Sequence, residues 1–240
     1  MTMVLLSANG KADFYSGCRG DANPPLGDGG LAINAALAGP LGITVDAGGN
    51  LYIADTSFYL IRKVSPAGII STIAGRDYYL QNGPNDVGFP TAVNLDAAGN
   101  LLIATQGSIR KLSSNGDLST IAGTTTQRTP HPSGDGGPAT GATLQGPVGV
   151  ASDAAGNLFV FGGELSGFFG IGGSVREVTG DGIINTIAGN GILGYSGDGG
   201  PAASASFSGA AAGIAVDAAG DTYVADVFNN VIRILRPAAK

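Results

Sequence analysis

An all-β fold built from repeated four-stranded units is predicted by three features of this sequence. A phrase of four short strands recurs along the chain, turn chemistry sits at fixed places between the strands, and 42 Gly and 12 Pro accompany a hydrophobic fraction of 43%. The clearest copy of the phrase is GITVDAGGNLYIADTSFYLIRKVSPAGIISTIAG, Gly42 to Gly75. It reads as the strands GITVD, NLYIAD, LIRKVS and IISTIAG, each carrying β-branched or aromatic residues. Four-stranded units recurring every 40 to 60 residues or so are the blades of a β-propeller. The repeats fall at about 42–75, 92–123, 149–189 and 213–237, so residues 1–240 read as one propeller domain of four blades.

The elements follow in order. Thr2–Gly10, TMVLLSANG, resembles the fourth strands IISTIAG, DLSTIAG and IINTIAG but has no blade in front of it. The last repeat offers GIAVD, DTYVAD and VIRILRP without a fourth strand, so the N-terminal strand is expected to complete the last blade and hide its edge. A monomer is favoured on this reading, with ring completion by oligomerisation as the competing arrangement. Lys11–Pro25 reads as loop. The phrase beginning Gly-Asp-Gly-Gly at Gly27, Gly134 and Gly197 is expected to be a turn, capped by Asp28, Asp135 or Asp198, that leads into the next first strand. Ala32–Ala38 and Ala202–Ser206 are the best helical stretches, each a single turn. Asp46, Asp96, Asp153 and Asp217 precede Gly-Gly or Ala-Gly and are expected to cap the first reversal of each blade. Arg62, Arg110, Arg176 and Arg233 recur in the third strand, and Asp55 and Asp226 end the second strand in two repeats. Pairing between these arginines and aspartates would pin neighbouring strands.

These phrases, Gly42–Gly75 and GIAVDAAGDTYVADVFNNVIRILRP above all, closely resemble NHL repeats, and the resemblance runs from Gly42 to Pro237. It implies a propeller of NHL-type blades, and the GDGGPA connector resembles that of large bacterial NHL-repeat proteins, often secreted or on the cell surface. An extracellular or periplasmic location is what this implies, although the chain shows no signal peptide. The family mostly supplies binding platforms, while cousins such as amidating lyases, streptogramin lyases and gluconolactonase-like enzymes are metal-dependent. Five or six blades are usual there, against four here.

Charge and chemistry narrow the function. A formal net charge of −6 with only 12% charged residues gives no footprint for phosphate backbones or anionic membranes, so neither nucleic acid nor membrane is expected as partner. Cys18 and His131 are the only residues of their types, which leaves no disulfide, no thiolate metal site and no histidine ligand set. No cofactor is expected. The Gly-Asp-Gly-Gly phrases lack the Lys-Ser/Thr of phosphate-cradling loops and the alternating oxygens of a calcium loop.

Large residues concentrate in two sets of loops that emerge on one face of a propeller. The connections between blades carry Tyr78, Tyr79, Asn82, Arg128, His131 and Tyr195, and the loops between second and third strands carry Phe58, Tyr59, Glu164, Phe168, Phe169, Phe228 and Asn229. Aromatics on glycine-rich loops suit recognition. The expected function is therefore a non-catalytic binding or scaffold propeller for a protein, peptide or glycan, with Phe58, Tyr59, Tyr78, Tyr79, Glu164, Phe168, Phe169, Tyr195, Phe228 and Asn229 as the ligand-binding residues. The alternative is a metal-assisted lyase or hydrolase with carboxylate ligands at the central channel.

Overall fold

The first reversal of each blade is set by one carboxylate. Asp46 accepts the Asn50 backbone N–H at 2.8 Å and the Asn50 side-chain amide at 2.7 Å. Asp96 holds Asn100, and Asp153 holds Asn157, through the same pair of bonds. Asp217 accepts the Asp221 N–H at 3.0 Å and the Tyr223 hydroxyl at 2.9 Å. Each turn then ends on a glycine at positive φ, Gly49 (80°) and Gly220 (86°) for example, where a side chain would be strained. The sequence thus writes a hairpin into the start of every repeat.

The computed structural model describes residues 26–75, 85–124, 132–163, 171–209 and 211–237. Its strands are β1 Pro40–Val45, β2 Leu51–Asp55, β3 Leu60–Val64 and β4 Ile70–Gly75. The second set is β5 Ala92–Leu95, β6 Leu101–Ala104, β7 Ser108–Leu112 and β8 Leu118–Gly123. A two-residue strand, β9 Gly137–Pro138, precedes β10 Pro147–Ser152, β11 Leu158–Gly162, β12 Ser174–Val178 and β13 Ile183–Ala188. The last set is β14 Ala211–Val216, β15 Thr222–Asp226 and β16 Val231–Leu235. Each set forms one sheet in sequence order, with β9 added outside β13. The fold is all-β, of propeller blades, and its helical content is single turns such as Ala32–Asn34 and Ala202–Ser204. The expected N-terminal strand, Thr2–Gly10, lies outside the described residues.

The chain divides into two compact units, Met1–Val93 and Asn94–Lys240. In the first, Ile53, Val64 and Ile70 of the β1–β4 sheet bury against Ala32, Ala35 and Leu37 of the connector before β1. In the second, Val148, Phe161, Val175 and Ala188 join Ala205, Phe207 and Val224 in one core. The Phe161 and Phe207 rings meet edge to face there, with centroids 5.8 Å apart, a geometry that aligns the edge of one ring with the face of the other.

Two arginines of the third strand, Arg62 and Arg233, pair as expected, with one addition. Arg62 lies 3.4 Å from Asp55, and Arg233 lies 3.7 Å from Asp226, both aspartates fully buried. The Gly-Asp-Gly-Gly phrase forms the expected turn, Gly30 N–H donating to Gly27 O at 3.0 Å, but its aspartate reaches away from the turn instead of capping it. Asp28 reaches Arg62 at 2.8 Å, Asp198 reaches Arg233 at 2.7 Å, and Asp135 bonds Arg176. Its backbone meanwhile extends the sheet of the blade it precedes: Gly29 N–H donates to Ile70 O at 2.9 Å, and Gly136 N–H to Ile184 O at 2.9 Å. The reason is that a buried guanidinium needs acceptors for its donors, and a carboxylate on the sheet edge supplies them.

Candidate functional site

The candidate site is built where two loops of the second unit meet. One is the connection from Gly189 to Gly197, and the other is the short 3-10 turn Val227–Asn229 between β15 and β16. Asn190 anchors the first loop. Its amide donates to Ser204 O at 3.1 Å and to the Ser206 hydroxyl at 3.1 Å, while its carbonyl accepts the Ile192 N–H at 2.9 Å. Gly194 N–H then donates to Phe207 O at 3.2 Å. The next residue along, Tyr195, leans on Arg233, whose guanidinium carbon lies 5.5 Å from the Tyr195 ring and 4.5 Å from that of Phe207.

Asn229 joins the loops. Its amide donates to Gly194 O at 2.8 Å and to Asp226 at 2.9 Å. Asp226 is buried and in turn accepts the Ser208 backbone N–H at 2.9 Å, so the turn is tied to the sheet beneath it. The following residue, Asn230, takes the left-handed conformation at φ 56°. What this framework presents to solvent is apolar: Ile192 is 64% exposed, Leu193 43%, Tyr195 56% and Phe228 62%. Side chains held open by bonded loops beneath them form a preorganised contact surface.

The electrostatics of the patch centre on Asp198. The Tyr195 hydroxyl and the Arg233 guanidinium hold its carboxyl below the usual range, and the same bond to Asp198 pushes the Tyr195 phenol up. The pair can bind through ring faces and a fixed hydroxyl. Among the described residues no cluster of three or more His, Cys, Asp or Glu is placed to hold a metal ion.

Of the residues singled out from sequence, Tyr195, Phe228 and Asn229 come together here. Phe58 and Tyr59 lie in the first unit at the equivalent turn between β2 and β3. Both are half-buried, and Tyr59 packs edge to face on Phe89 with centroids 5.5 Å apart. Tyr78, Tyr79, Asn82, Arg128, His131, Glu164, Phe168 and Phe169 lie outside the described residues. Sequence reasoning passed over Ile192 and Leu193. The signal was present, since an Ile-Leu pair between glycines in NGILGYSG has no strand to belong to.

Residues 16–88 match the family model of the teneurin NHL domain. Teneurin-4 of Mus musculus is 29% identical over 239 residues, covering 88% of this chain and 8% of its own length. The blades also superimpose on solved structures. A structural genomics protein of unknown function from Bacteroides thetaiotaomicron VPI-5482 gives a TM-score of 0.63 at 21% identity, with 81% of this chain and 46% of that one covered. These findings agree with the turn aspartates and the strand order. The chain is similar to the NHL-repeat β-propellers. An auxiliary nutrient binding protein from the same organism shares the fold with this chain at a TM-score of 0.60 and 16% identity, covering 84% and 48% of the two chains. A streptogramin B lyase shares it at 0.54 and 17%, covering 91% and 55%. This chain thus spans about half the length of these solved relatives, and at such identities they speak for the fold alone.

Proposed function

We propose that this chain is a binding module that recognises a protein, peptide or glycan through the loops Gly189–Gly197 and Val227–Asn229. The observation that carries the reading is the exposed group Ile192, Leu193, Tyr195 and Phe228 on loops clamped by the Asn229–Gly194 bond. Large exposed apolar and aromatic side chains on a rigid frame are costly to leave in water, and they are the side chains that dominate interfaces.

The test is direct. Amide NMR titration of the full chain against a glycan panel and a random-peptide panel is expected to shift resonances of Gly191, Gly194, Phe228 and Asn229 for at least one class. The double variant Tyr195→Ala, Phe228→Ala is expected to weaken that binding about a hundredfold, as for two anchor residues, with its melting temperature nearly unchanged. Binding that shifts other loops, or survives both substitutions, would displace the site.

A further inference from the structure

The residue that closes the second strand of a blade satisfies buried groups around it. In the β1–β4 sheet that residue is Asp55, which accepts the Ala38 N–H at 2.7 Å and faces Arg62 Nη1 at 3.4 Å. In the β14–β16 sheet it is Asp226, which accepts the Ser208 N–H at 2.9 Å and lies 3.7 Å from Arg233 Nη1. After β6 the place is held by Thr105, whose hydroxyl meets that of Ser108 at 3.0 Å. Donors and acceptors cut off from water are costly to leave unmet, and these side chains meet them.

In the β10–β13 sheet the same position is Gly162, the last residue of β11. The groups that a side chain would have met are nonetheless present. Ser174 pairs with Gly162 in register, as Ser108 does with Thr105, and its hydroxyl has no partner. Gln145 precedes β10 where Ala38 precedes β1, and neither the nitrogen nor the oxygen of its side-chain amide is bonded. Arg176 donates to Thr143 O, Ser133 O and Asp135, but among the described residues no second carboxylate reaches it as Asp55 reaches Arg62. Gln145, Ser174 and Arg176 are 6%, 3% and 2% exposed. The backbone of Gln145 borders the vacated place, since its nitrogen would lie 3.7 Å and its oxygen 2.6 Å from a Cβ on Gly162.

We propose that the place left by Gly162 is a binding site for a formate-sized carboxylate, held by Arg176, Ser174 and Gln145. The charge follows from the count of unmet groups. The Gln145 Nε2, the Ser174 hydroxyl and the Arg176 Nε all donate, whereas the Gln145 Oε1 alone must accept. A water brings as many donors as acceptors, while a carboxylate brings acceptors only, and bonds to a guanidinium strengthen it. The two sheets that keep an aspartate show the same chemistry, with Asp55 and Asp226 as the second carboxylate beside a buried arginine. The size follows from the crowding at Gly162. A carbon standing where the Asp55 Cβ stands would meet Gln145 O at 2.6 Å, so the carboxylate must come without one. Formate meets this condition, and acetate seated like an aspartate side chain does not.

The site shares no residue with the exposed loop patch, so the two stand or fall separately. Sodium formate is titrated into the full chain and followed by amide NMR, against sodium chloride at matched ionic strength and against formamide, its neutral counterpart. Saturable shifts are expected at the Gln145 side-chain amide and at the Gly162 and Ser174 backbone amides, with a Kd of about 10 mM or tighter. Acetate is expected to bind at least about tenfold more weakly, and formamide to leave these resonances in place. Gln145→Met and Ser174→Ala should each weaken formate at least about fivefold, and both should keep the fold because each removes an unmet polar group from the interior. The absence of saturation by about 50 mM formate would mean a buried water only, and would overturn the proposal. Equal binding of formamide, or binding that survives both substitutions, would also overturn it. So would formate binding seen only in Glu164→Gln, since the place would then belong to a carboxylate of this chain.

Discussion

The chemistry of single residues here is governed by where a carboxylate meets backbone donors and where it loses water. Asp46 and Asp217 sit on open turns, and their hydrogen bonds to Asn50 and Tyr223 hold them below the usual carboxylate range. Asp55 is the opposite case. Burial pushes its pKa up to about 6, against the pull of the Ala38 N–H at 2.7 Å and the Arg62 guanidinium. Unfolded, it would titrate near 4. From about pH 4 to about pH 6 the folded chain therefore holds a proton that the unfolded chain releases. Its contribution to stability is full below about pH 4 and is lost as pH rises through 6. The turn aspartates work in the other direction, contributing above their unfolded value and failing as pH falls below it. Urea midpoints followed across the interval should thus show a downward slope with rising pH that Asp55→Asn removes, since the amide still accepts the Ala38 N–H. An identical slope in both chains would mean that Asp55 is ionised throughout.

At the scale of elements, the strands were legible because their turns are local. Asp46 and Asn50 are four residues apart and bond each other, so the hairpin is written in one short window. The same holds for the arginine and aspartate of adjacent strands, Arg62 and Asp55. The partners of the Gly-Asp-Gly-Gly segment were not legible, because Asp28 finds Arg62 across 34 positions and Gly29 pairs with a strand that comes later in the chain. Periodicity cannot report a partner set by the sheet. The candidate site was legible in part for the same reason: Phe228 and Tyr195 stood out as large residues in glycine-rich loops, but the Asn229–Gly194 bond that joins them spans 35 positions. The fourth-strand phrases each end on glycine, and the structure puts a hard constraint on that residue. Gly123 has φ 79°, and a Cβ on it would lie 2.3 Å from Gly107 O and 2.8 Å from a Leu144 methyl. Gly123→Ala must therefore both strain the backbone and part β7 from β8. We expect a loss of about 3 kcal/mol or more in denaturant unfolding, well beyond the roughly 1 kcal/mol of an average substitution. A loss under 1 kcal/mol or so would show that the β7–β8 end relaxes freely.

For the whole molecule, the decisive balance is between a sparse charge and apolar faces that stay in water. Along β1, Leu41, Ile43 and Val45 are 62%, 67% and 58% exposed, whereas Val148 and Val150, the counterparts of Leu41 and Ile43 on β10, are 8% and 4% exposed. On β16, Ile232 and Ile234 are 67% and 47% exposed. With a net charge of −6 at pH 7, repulsion between molecules restrains association through such faces, and it vanishes near the pI of about 4.5. Light scattering across pH is thus expected to rise steeply toward pH 4.5, and added salt at pH 7 should reproduce part of the rise by screening. If the exposed stripes are the adhesive surface, Ile43→Lys and Ile232→Lys should each suppress the rise. The lysine would sit on a face already open to water, so the melting temperature should hold, and each charge shifts the pI upward by a predictable amount that the scattering maximum must follow. A maximum that moves with the pI at undiminished height would show that the contacts lie elsewhere, because the charge would have changed while the adhesive surface had not.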